Sequence, residues 1–203
     1  MRVSSFAFAA CVTASALTLG VSPEGSPGIG SEAHATTAVL ISLDEMLKSS
    51  DQVVVAQPLE RFSQWEEIGQ SRRIVTYTRL TIEELVVGSA KQDIWVRTLG
   101  GTVTSPSGDK IGQHVAGEAE FTIGEPSLVF LTRRADNFVV TAMAQGHYPV
   151  ESSGGVRKLK SSPNTGTLLR SKKAQGRSAR EDLVGETLER ATQKIQAAKA
   201  ASK

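Results

Sequence analysis

Once the first 35 residues are set aside, only His114 and His147 carry an imidazole able to act as a base near neutral pH. A serine nucleophile needs such a base and an acid to orient it. No G-x-S-x-G run occurs, Ser105-Pro106-Ser107-Gly108 reads as a turn, and Ser152-Ser153-Gly154-Gly155 reads as loop. A hydrolase using His114 or His147 therefore stands as an alternative carried by single residues rather than by a motif. Zinc held on nitrogen would need both histidines with carboxylates such as Glu118 and Glu120, which lie near His114 in sequence. The chain has no H-x-x-x-H or H-E-x-x-H. Calcium on Asp109, Glu118 and Glu120 lacks the D-x-D-x-D-G spacing. The adjacent carboxylates Glu66-Glu67 and Glu83-Glu84 resemble a glycosidase pair only in composition, because neighbours on a strand point to opposite faces. Gly100-Gly101 and Gly112 lack the Lys and Ser/Thr of a phosphate loop. The reading is of no catalytic residue, no cofactor and no metal.

The strongest charge feature is a run of cations. Arg157, Lys158, Lys160, Arg170, Lys172, Lys173, Arg177 and Arg180 occur with no acid between them. Thr36 to Val156 carries 10 basic and 15 acidic residues, and Glu181 to Lys203 carries four of each. Eight uncompensated cations create a field that attracts anionic polymers. The same run also reads as a solvated linker, or as a segment that folds back onto the acidic domain. The expected partners are an anionic cell-envelope polymer or another protein. Nucleic acid is not expected, because the domain before the run is net acidic and sparse in aromatics. Trp65, Tyr77 and Trp95 read as core or edge-packing residues.

The elements that hold these residues follow from spacing. Met1-Arg2-Val3, an uncharged apolar stretch from Phe6 to Val21, and Ala33-His34-Ala35 have the order of a secretory signal. Cleavage after Ala35 and a secreted or periplasmic location are expected, with no membrane-spanning helix in the mature chain. Removing residues 1–35 of 203 leaves 168, enough for one cored domain. The single cysteine, Cys11, lies in the leader, so the mature chain has no disulfide.

Ser42 and Glu45 form a capping box that opens a short helix, and Ser178 and Glu181 form a second. Between them strand signals dominate. Ile74, Thr76, Thr78, Leu80 and Ile82 share one face of the clearest strand. Pro58 marks an edge or a bulge. Gln52 to Phe62, Asp93 to Leu99, Ser127 to Thr132 and Phe138 to Met143 read as further strands, and Thr102 to Gly124 as loop. Leu183, Val184, Leu188, Ala191, Ile195 and Ala198 form a stripe at helical spacing.

The expected fold is mainly β, a small OB-like five-stranded antiparallel barrel with a short N-terminal helix and a C-terminal helix. Its division is a signal peptide at 1–35, a β-barrel domain at 36–156, a basic flexible linker at 157–177 and an amphipathic helix at 178–203.

The order Asp51-Gln52-Val53-Val54-Val55-Ala56, Glu84 to Gly88, Ile94-Trp95-Val96, Leu99-Gly100-Gly101, Gly124-Glu125, Leu128 to Leu131 and Gln145-Gly146 resembles an uncharacterised bacterial secreted β-rich family. More distantly it is similar to netrin-like domains, OB barrels that include tissue inhibitors of metalloproteinases. The first resemblance implies export and a β-rich fold. The second implies a protease-inhibiting or protein-binding barrel, acting through a ridge of Thr36 to Leu40 and the loop Thr102 to Gly124. Those inhibitors grip zinc through an N-terminal cysteine, which Thr36 does not supply. The functional expectation is a non-catalytic exported binding or structural module.

Overall fold

The computed structural model describes residues 37–89, 92–170 and 176–202. The expected signal peptide, Cys11, Lys172 and Lys173 lie outside them.

The chain is mainly β. A short strand, β1 (Thr37–Val39), precedes helix α1 (Leu43–Lys48). The Ser42–Glu45 capping box closes as its spacing demands, and Leu43, Met46 and Leu47 are buried along one side. A long hairpin follows, β2 (Gln52–Ile68) with β3 (Ser71–Val87), turning at Gly69, where φ is 62°. The β2–β3 register jumps between Pro58 and Glu60, so Pro58 does sit at an irregularity. Strands β4 (Asp93–Leu99), β5 (Gly101–Thr104) and β6 (Lys110–Gln113) come next, then β7 (Ser127–Arg134) and β8 (Asn137–Val140).

The main sheet has seven strands rather than five. Two of them, β9 (His147–Ser153) and β10 (Val156–Leu159), extend it beyond β7. Strand β3 pairs with β2 and β4, and β7 pairs with β2 and β8, all antiparallel. Strand β4 meets β8 in parallel at Val96 and Phe138.

Alternation on β2 and β7 sends side chains into two separate cores. Val54, Ala56, Val129 and Leu131 join Leu80, Ile94, Val96 and Val140 on one side. Val53, Val55, Leu128 and Phe130 face the other side, where the helices lie. Residues buried from water on both faces explain why these runs read as continuous Val and Leu.

The segment expected as a flexible linker, 157–177, carries structure. It supplies most of β10 and all of β11 (Thr167–Leu169), which pairs in parallel with β1. Leu159 is buried in the helix-side core, and Ser162 and Thr165 are buried as well. One apolar residue at the right register and a Gly154-Gly155 hairpin turn outweigh the polar composition. Those two glycines take φ of 58° and 78°, as a tight two-residue turn requires.

The C-terminal helix is also divided. Helix α2 (Ala179–Leu183) ends in a turn through Gly185, φ 87°, and α3 (Leu188–Ala201) follows with Thr187 as its cap. Leu183, Leu188, Ala191 and Ile195 dock on the sheet, whereas Val184 is exposed. The stretch expected as loop, Thr102 to Gly124, contains the β5–β6 hairpin. No helix among the described residues is long and apolar enough to cross a membrane.

Candidate functional site

The face that begins with Leu80 and Val96 in the core continues outward as Thr78 and Thr76 on β3 and Thr98 on β4. Opposite Thr78 and Thr76 in register stand Arg61 and Ser63 of β2. Apolar side chains give way to hydroxyls, and the interior opens into a cleft of about 720 Å³. Its far walls are the β5–β6 hairpin and the segment 114–121. Small-molecule sites usually have volumes of this size but a mostly apolar lining. Here hydroxyl and ionisable side chains outnumber the apolar ones, so the cleft suits a ligand that brings many hydrogen bonds.

Close contacts hold the walls. Ser63 and Thr76 share a hydroxyl bond of 2.8 Å, and Thr76 Oγ1 donates to the Gly100 carbonyl at 2.7 Å. The Ile74 N–H donates to Gln113 Oε1 at 2.7 Å, so a β6 side chain serves as strand partner to β3. Arg61 Nη1 donates to the Phe121 carbonyl at 3.2 Å. Glu118 lines the cleft and is buried. Burial raises its carboxyl above the ordinary value, and bonds from the Leu99 and Ala119 backbone and the charge of Arg97 offset this only in part.

The two histidines occupy different settings. His114 lies on the cleft rim with Nδ1 3.7 Å from Glu120 Oε1. The two side chains are 67% and 62% exposed, so this is a solvated pair of little energetic weight. His147 is 2% exposed, with Nδ1 3.1 Å from Ser162 Oγ and Nε2 3.0 Å from Ser127 Oγ. Burial pushes its pKa down to about 4. Phe121 packs on the imidazole at 4.8 Å between centroids and also lines the cleft. A hydrolytic reading through Ser127 and His147 must therefore use two buried groups, with a serine where a triad has its acid. Among the described residues, no three His, Cys, Asp or Glu side chains are grouped to hold a metal ion.

One carboxylate of each adjacent pair is tied to a cation, and the β2–β3 register shifts at Glu83–Glu84. Glu66 accepts from Tyr77 Oη at 2.6 Å and from Arg97 Nη2 at 2.7 Å, and Glu83 pairs with Arg157 at 2.8 Å. The aromatics are edge-packed. Phe62 stacks on Tyr77 at 5.3 Å and meets Trp95 edge-on at 5.5 Å, while the Arg72 guanidinium lies over Trp65 at 5.1 Å.

Four of the cations proposed for an anionic surface form internal ion pairs. Arg157 meets Glu83, Lys160 meets Glu151, Arg170 meets Glu181 and Arg177 meets Asp182. Lys158 lies on β10 opposite Glu151 in register, and Arg180 is exposed on α2. The six described cations are spread over β10, the loop beyond it, the end of β11 and the start of α2.

The hydroxyls of the cleft were visible as two threonines interrupting an otherwise apolar strand face. What could not be read was the hairpin that folds over them. The chain matches no protein-family model, no curated protein and no solved structure.

Proposed function

We propose that this chain is an exported binding module whose ligand site is the hydroxyl-lined cleft at the open end of an OB-like barrel. The cleft carries the reading. Ser63, Thr76, Thr78 and Thr98 converge there as hydrogen-bonding groups, with Arg61, His114, Glu118 and Glu120 also on the lining. Such a lining favours a small, polar, hydroxyl-rich ligand over an apolar one. The pairings support the barrel form. Numbered in chain order, β2, β3, β4, β7 and β8 pair as first–second–third–fifth–fourth and back to first, with third and fifth parallel. That is the strand order of OB barrels.

Titration of the ¹⁵N-labelled protein with soluble cell-envelope saccharides and short peptides tests the reading. Shifts are expected at Thr76, Thr78, Thr98, Gly100 and Gly101, and Thr98→Trp, which fills the cleft, abolishes them. Shifts confined to other surfaces, or none with either class, would sink it.

A second reading rests on a different observation. Val39 of β1 and Leu169 of β11 are register partners, and both are more than half exposed. This small apolar ridge near the start of the mature chain fits a netrin-like, protein-binding role. Lack of inhibition of periplasmic and metallo-proteases at micromolar concentration removes the inhibitor form of it. Wild-type activity after replacing both His114 and His147 with Ala would likewise remove the hydrolase alternative. The cationic run stays a secondary proposal, tested by whether retention on anionic polymers falls with salt.

A further inference from the structure

Two residues of the loop 160–166 are buried more deeply than a connecting segment needs. Ser162 and Thr165 are 4% and 8% exposed, and the Thr165 hydroxyl and N–H both donate to the Ser162 carbonyl. His147 fastens one side of the loop by placing its ring between Ser162 and Ser127. Asn164 fastens the other, its Nδ2 donating to the carbonyls of Val115 at 3.1 Å and Glu118 at 2.9 Å. Those carbonyls belong to the wall of the cleft. The Ala144 N–H holds the same wall through the Gly117 carbonyl at 2.8 Å.

We infer that residues 160–166 are a strap that holds the 115–119 wall of the cleft, and that acid releases it by charging His147. The consequence for ligand binding rests on the cleft being the ligand site; the release itself does not.

Protonation costs the closed form no hydrogen bond. A neutral imidazole donates from one nitrogen and accepts at the other, whereas the charged ring donates from both, and either serine hydroxyl can turn to accept. What it costs is a buried cation without a counter-charge. Among the described residues, the elements around the ring supply none in contact with it. Strand β7 presents Ser127, the cleft wall presents Phe121, and the turn at Met143–Gly146 presents Ala144 and Gln145. The loop carries Lys160, already tied to Glu151 of β9, and α2 brings a further cation, Arg180. The neighbouring Tyr148 phenol is buried and held neutral. Glu118, on the strapped wall, is the nearby carboxyl that titrates upward with burial.

The closed ring binds a proton only near pH 4, while a solvated ring binds it near 6.5. Between those values each unit of acid favours the open strap by about tenfold.

Residue-resolved hydrogen exchange on the full chain between pH 7 and 4.5, corrected for intrinsic rates, tests this. Protection of the Glu118, Ala144 and Thr165 amides is expected to fall about tenfold per pH unit below 6.5. The ladder amides of β2 and β7 should hold. His147→Gln should flatten the response, and Glu118→Gln should preserve it and steepen it in the range where the raised carboxyl of the wild type takes up its own proton and opposes opening. Asn164→Ala leaves the buried ring in place and should give low wall protection already at pH 7. A wall that stays protected at pH 4.5 overturns the inference. So does a parallel loss from β2 and β7, which would mean that His147 charges only on global unfolding. An acid response lost in Glu118→Gln reassigns the trigger and also overturns it. Failure of the binding reading shows separately, as absent ligand shifts at Thr76 and Thr98 at pH 7.

Discussion

Gly101 passes so close over Thr76 that a Cβ on it would stand 2.2 Å from Thr76 Oγ1, and 2.5 Å from Ser63 Oγ. Its φ of 129° lies where side chains are rarely accommodated. Gly101→Ala should therefore cost about 2–4 kcal/mol, combining overpacking with backbone strain. Adding Thr76→Ala should restore part of it, because one of the two clashing hydroxyls is removed. Urea unfolding of the four members of the cycle measures the coupling. Additive effects would mean that β5 does not cross β3 at this point.

Glu66 links three elements of the outer sheet face, from β2 to Tyr77 of β3 and Arg97 of β4. Burial alone would raise its carboxyl, but the bonds from Tyr77, Arg97 and Gln64 outweigh it and hold the pKa below the usual carboxylate value. A carboxyl lowered in the fold adds stability above its unfolded-state pKa and loses it as pH falls through the folded one. Tyr77→Phe should cost about 1 kcal/mol at pH 7, since Arg97 still satisfies one oxygen. The gap between variant and wild type should close as the carboxyl protonates. Urea midpoints followed from pH 7 into acid, alongside the Glu66 carboxyl signal by NMR, check both parts, and a gap that persists after that signal has titrated would assign the cost to packing instead.

These contacts show which features a sequence discloses. The capping boxes Ser42–Glu45 and Ser178–Glu181 were readable because donor and acceptor lie three residues apart. The face Ile74 to Ile82 was readable because strand period is fixed by stereochemistry. Arg157 looked like part of a solvated run because its partner, Glu83, is 74 residues away. The strap looked like a linker because its side chains are polar and the partners that fix it, the His147 ring for Ser162 and the Val115 and Glu118 carbonyls for Asn164, are distant in sequence. Gly154-Gly155 was the local hint of a hairpin, and composition hid it.

Strand β10 and helices α2 and α3 cover the side chains of Val53, Val55, Leu128 and Phe130. A chain ending at Ser153 should therefore be insoluble or molten rather than a free domain. A single Ile195→Ala change, at a residue with no exposed surface, should cost about 2–5 kcal/mol. Circular dichroism and urea unfolding test both. A cooperative unfolding transition in the truncated chain would return 157–177 to the status of a tether.

Glu118 offers a change of opposite sign. Its carboxyl is raised by burial, so between the ordinary value and the raised one the folded state binds more protons than the unfolded. Stability therefore falls as pH rises through that window, and the ionised group is a cost at neutral pH. Glu118→Gln keeps an oxygen to accept from the Leu99 or Ala119 backbone and removes the charge. It should raise the urea midpoint at pH 7, with the gain shrinking toward zero below the ordinary carboxylate pKa. Measuring the variant against wild type at each pH cancels the contribution of His147, which both share. A variant less stable than wild type at pH 7 would show that the carboxylate's backbone bonds outweigh its burial, and that the cleft is built to hold a negative charge at its wall.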